Sequence, residues 1–84
     1  MQPQHTHSEY VTHNNQDLEI RGEKYDKPVK KSEELDIHVM IHIFDIATKE
    51  PVGYGTLNFE NLTIVEMQAE VQNIKNNIEK FTWT

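Results

Sequence analysis

From Leu35 to Ile46 the chain alternates. Leu35, Ile37, Val39, Ile41 and Ile43 hold every second position, with Asp36, His38, Met40, His42 and Phe44 between them. Period two puts the first set on one face of a strand, and all but Leu35 are β-branched, which suits a pleated, half-buried surface. Ala47-Thr48-Lys49-Glu50-Pro51 reads as a hairpin connection to a second strand over Val52 to Phe59. In that strand Gly55, Leu57 and Phe59 are predicted inward, since glycine lets a helix backbone approach a sheet. Tyr54 and Thr56 then join the outer face of the first strand.

After Phe59 the period changes. Ile64, Met67, Val71, Ile74, Ile78 and Phe81 recur at spacings of 3, 4, 3, 4 and 3, the narrow apolar stripe of a helix running to about residue 81. Thr63 and Glu66 stand at the two ends of a capping box, in which the threonine hydroxyl accepts from the N3 amide and the glutamate reaches back to the cap amide. The helix has the length to cover the inner face of the hairpin.

Upstream the pattern fades. Residues 1–16 are rich in Gln, His, Asn, Ser and Thr, with Tyr10 and Val11 as apolar anchors. Such a segment buries too little to offset its ordering entropy and is predicted to be a disordered polar arm. Residues 17–34 are predicted to hold a short strand, Asp17 to Arg21, and a charged loop containing Pro28. Residues 35–84 form the ββα core. The fold class is α+β: a two- or three-stranded antiparallel sheet, built on a β-hairpin, packed on one C-terminal helix.

Composition sharpens this picture. The 84 residues suffice for one domain, and a chain of this size buries only about 60% of the surface its unfolded form exposes. There is no cysteine, so neither a disulfide nor a thiolate metal site supports the core. A second copy of the chain is the expected support, and a homodimer the expected state. The absence of cysteine, of a basic and apolar leader, and of an apolar run long enough to cross a bilayer points to a cytoplasmic protein without membrane contact.

The formal net charge is −6. Five acids and five bases balance over residues 1–32, whereas residues 33–84 hold nine acids against Lys49, Lys75 and Lys80. An acidic domain repels phosphate backbones, so direct nucleic-acid binding is not expected. Glu60, Glu66, Glu70 and Glu79 read as a solvated surface, diluted by Gln and Asn.

Candidate chemistry is sparse. There is no cysteine nucleophile, phosphate loop or Gly-x-Ser-x-Gly elbow, and no cofactor is implied. His38 and His42 lie roughly 13 Å apart along a strand, too far to share one metal ion. His42 and Asp45 point to opposite faces. His5, His7 and His13 read as part of a linker. Trp83 is either an anchor for the helix end or a contact residue. What stands out is the outer face of the long strand, where Met40 and Phe44 are too apolar for bare solvent. His38, Met40, His42, Phe44 and Tyr54 are therefore the candidate partner or self-interface. The function expected is a small non-enzymatic protein-interaction module, a regulator or inhibitor of another protein, in keeping with an accessory protein of a bacterium or its phage. A structural or assembly subunit is the alternative, and an enzyme with a site shared between subunits comes third.

Overall fold

Asn14 and Asn15 take φ of 51° and 63°, the two left-handed positions of a type I′ turn, whose twist joins antiparallel strands directly. Strands β1 (His5–His13) and β2 (Gln16–Lys24) run back from this turn with Val11 opposite Leu18, Glu9 opposite Ile20 and His7 opposite Gly22. The segment predicted as a disordered arm is thus an edge strand from His5 onward, and the short strand predicted over 17–21 is nine residues long. Composition misled because β1 needs little apolar surface of its own. Its backbone is paired along β2, Val11 packs on the core, and Lys75 Nζ donates to Glu9 Oε1 at 3.1 Å.

The computed structural model describes residues 2–31 and 36–82, with backbone alone for Lys30 and Lys31. Leu35 and Trp83, both named above, lie outside the described residues. Part of the predicted charged loop forms a small ladder of its own, β3 (Lys30–Lys31) against β4 (Asp36–Ile37). The long strand predicted over 35–46 is interrupted at His38 and continues as β5 (Val39–Asp45). The following strand, β6 (Pro51–Phe59), is paired to β5. The main sheet is therefore four-stranded and antiparallel, in the order β1-β2-β5-β6, rather than two- or three-stranded.

Helix α1 (Ile64–Asn76) begins at Thr63 with both halves of the capping box formed, Glu66 N to Thr63 Oγ1 at 3.1 Å and Thr63 N to Glu66 Oε1 at 2.9 Å. It ends at Asn77, short of residue 81, and a 3-10 turn over Ile78–Lys80 carries the apolar stripe onward. Val71, Ile74 and Ile78 are buried against Leu18, Ile20, Ile41 and Ile43, Met67 is buried over Gly22, and no helix among the described residues is long and apolar enough to cross a membrane.

The close approach of helix and sheet occurs at Gly22 rather than at Gly55. A Cβ on Gly22 would stand 2.9 Å from Met67 Cγ and 3.0 Å from Val71 Cγ2, so only hydrogen fits there. Gly53 serves a different purpose. Its φ is +56°, and a Cβ would fall 1.9 Å from the carbonyl oxygen of Phe81. The chain end lies across β6 at this point, with Tyr54 N donating to Phe81 O at 3.0 Å.

Candidate interaction surface

With α1 on one face of the sheet, the other face is left to side chains from all four strands. Strand pairing sets their rows. Tyr10 lies opposite Glu19 and Glu19 opposite Phe44, and in the next row Ser8, Arg21, His42 and Thr56 line up across β1, β2, β5 and β6. Two hydrogen-bonded clusters result.

In the first, Ser8 Oγ donates to Glu19 Oε2 at 2.9 Å, and Arg21 Nε donates to the same oxygen at 2.9 Å. The guanidinium carbon of Arg21 sits 4.9 Å from the centroid of the Phe44 ring, a cation–π distance. Glu19 is buried. Burial alone would raise its carboxyl pKa, but the hydrogen bonds from Arg21 and Ser8 outweigh it and hold the group below its ordinary value. Arg21 is raised in turn, chiefly by its bond to Glu19. The charged forms of both partners are favoured, and the geometry of the pair is held by two donors and a ring.

In the second cluster Glu23 Oε1 is 2.8 Å from His42 Nε2, and His42 Nδ1 is 3.0 Å from Thr56 Oγ1. Tyr25 OH donates to Glu23 Oε1 at 3.3 Å, and burial together with that carboxylate raises the phenol pKa. A hydroxyl, an imidazole and a carboxylate in a row have the order of a proton relay. They are also what cross-strand polar pairing produces when His42 and Thr56 stand directly opposite.

Of the five residues singled out from sequence, three share this surface. Met40, His42 and Phe44 are half-buried on the outer face, between β2 and β6. Phe44 is roofed by Arg21 and is no bare apolar patch. His38 stands apart at the break before β5, where its Nδ1 lies 3.0 Å from the Glu60 carbonyl oxygen. Tyr54 leaves the outer face altogether. Between the pairs His42–Thr56 and Phe44–Pro51, four residues of β6, Val52 to Gly55, stand against Ile43 alone. This bulge, with positive φ at Gly53 and Gly55, turns the Tyr54 ring edge-on to Phe81 at 5.6 Å. Strict alternation cannot be carried through such a bulge.

Glu19, Arg21 and Glu23 were the residues missed. Their signal was present as charges at every second position of β2, but it had force only once β2 was known to lie between β1 and β5. His42 and Asp45 are separated as the alternation predicts, Asp45 Oδ1 accepting from the amides of Ala47 and Thr48 in the hairpin loop. Among the described residues no cluster of three His, Asp or Glu side chains is arranged to hold a metal ion. No family model, curated protein or solved structure matches the chain.

Proposed function

We propose that this protein is a non-enzymatic interaction module, a regulator or inhibitor that binds another protein through the outer face of its sheet. The observation that carries the reading is the pre-ordered row on that face: Arg21 fixed between Glu19 and Phe44, beside His42 fixed between Glu23 and Thr56. Arginine and aromatic side chains dominate binding energy at protein interfaces, and a group already held in its bound geometry loses less entropy on association. The chain carries a net charge of −6, so a basic surface is the complementary one. The cysteine-free chain suits a reducing compartment, and the cytoplasm is the proposed location.

The test is site-specific photo-cross-linking in cells with the reactive side chain at Thr56, which is exposed opposite His42 on the outer face, and at Gln68 on the helix as control. One protein cross-linked from Thr56 and not from Gln68 is expected, and it should be lost in Phe44→Ser and Arg21→Ala. A partner retained by both variants, or captured equally from Gln68, refutes the outer face as the binding surface.

A further inference from the structure

The two edges of the sheet are treated differently. At the β6 edge, Pro51 begins the strand, two positive-φ glycines distort it, and Phe81 takes the amide of Tyr54. These are devices that stop a further strand from adding. The β1 edge has none of them. Its closing pair, His13 and Gln16, flanks a two-residue turn, and such a pair exchanges both of its backbone hydrogen bonds. Alternation from there turns the odd-numbered amides of β1 toward β2 and those of Thr6, Ser8, Tyr10 and Thr12 outward. No other described strand lies beside them.

The charge pattern also singles out this edge. None of those four outward-turned residues is charged, and Tyr10 is 59% exposed. On the helix side of β1 the one formal charge is Glu9, already matched by Lys75 at 3.1 Å. That contact identifies the flank of α1 beside the edge. Helical spacing places Gln68 and Gln72 on the flank of Lys75, and Glu66 and Glu70 on the other. In a chain of net charge −6, the strip along β1 is close to neutral, which suits the approach of an identical chain.

We infer that β1 is the docking edge for a second copy of this chain, pairing antiparallel with β1 of the partner across a two-fold axis at Val11. Between Glu9 and Val11 as the centre, the side chains decide. Centring the pairing on Glu9 would set two glutamates opposite each other, which is destabilising. Centring it on Val11 sets valine against valine and Glu9 against His13 of the partner subunit, twice. These are non-hydrogen-bonded pairs, the closer kind. The result is a continuous eight-stranded sheet with both outer faces on one side. This interface is separate from the face proposed above for a different protein, so either assignment can fail alone.

Sedimentation of the full chain over a range of concentration tests it. The wild type is expected to dimerise. Tyr10→Pro removes an outward amide without touching the ladder to β2, and Tyr10→Lys places a charge at the seam; each should weaken association at least about tenfold. Circular dichroism establishes that the variants are folded, and Tyr10→Lys, at an exposed position, serves if Tyr10→Pro is not. Phe44→Glu, on the outer face, should leave the dimer intact. Val11→Cys, in a chain with no other cysteine, should form a disulfide-linked dimer under mild oxidation. A chain that stays monomeric at every concentration overturns the inference. So does a dimer that survives the folded Tyr10 variants, or one that is lost in Phe44→Glu alone. Absence of the Val11→Cys bond in an edge-dependent dimer overturns the axis.

Discussion

Gly22 gives the sharpest test of how the helix meets the sheet. It is buried in β2, and its φ lies outside the positive range, so alanine suits the backbone. By backbone entropy alone Gly22→Ala would stabilise the fold by about 0.4–1 kcal/mol. The added methyl group, however, would stand 2.9 Å from Met67 Cγ, 3.0 Å from Val71 Cγ2 and 3.1 Å from Met67 Sδ. Both side chains are fully buried, so the helix must shift or Met67 must leave its rotamer, an overpacking cost of about 1–3 kcal/mol. The net expectation is a loss of roughly 1–2 kcal/mol. Met67→Ala removes two of the three clashing atoms and by itself costs about 2–5 kcal/mol through the cavity it leaves. The double variant should therefore be less destabilised than the sum, with a coupling of about 1 kcal/mol. Urea denaturation at one fixed protein concentration measures all four corners of the cycle. Additive losses, or a Gly22→Ala variant as stable as the wild type, would show that α1 does not rest on β2 at this point.

Gly53→Ala should be worse than Gly22→Ala, because it combines a positive φ with a Cβ 1.9 Å from Phe81 O; loss of the Tyr54–Phe81 ring contact, followed by tyrosine fluorescence and urea midpoint, checks it, and an unchanged midpoint refutes it. At the helix start, Thr63→Ala should cost about 1 kcal/mol at neutral pH. The Glu66 carboxyl is held below its ordinary value, chiefly by the Thr63 amide, so its contribution is present above the unfolded value of about 4.3 and is lost as pH falls through the lower folded one. Glu66→Gln should consequently flatten part of the fall in urea midpoint below that value, and an identical pH profile for variant and wild type would rule the cap out as its source.

The core of the fold was legible where one period ran unbroken. The alternation through Val39, Ile41 and Ile43 and the 3–4 spacing from Met67 to Ile78 each report burial on one side, and those residues form the interior. The β1–β2 hairpin was not legible in the same way. β1 carries polar side chains on both faces, Thr6, Ser8 and Thr12 on one and His5, His7 and Glu9 on the other, and what orders it is backbone pairing with β2 together with Val11 and the Lys75 contact. The signal lay instead in Asn14-Asn15, two residues that tolerate the left-handed conformation, placed between two stretches of alternating character.

The candidate site shows the same division between what an alternating pattern carries and what only pairing reveals. Met40 and Phe44 were recognisable as too apolar for solvent, and that inference required a cover. The cover is partly the neighbouring strand: Arg21 lies over Phe44 because β2, not β6 alone, borders β5. Once β2 is a central strand, its charges at alternate positions need partners on the outer face: Glu19 pairs with Arg21 along the same strand, and Glu23 with His42 across on β5. Apolar demand on the outer face falls accordingly, which removes the main reason for placing the self-interface there. The β1 edge, free of the distortions that mark β6, is then the place for the self-pairing inferred above. The two proposals then fall on different parts of one sheet, the first on side chains of its outer face and the second on backbone amides at its border.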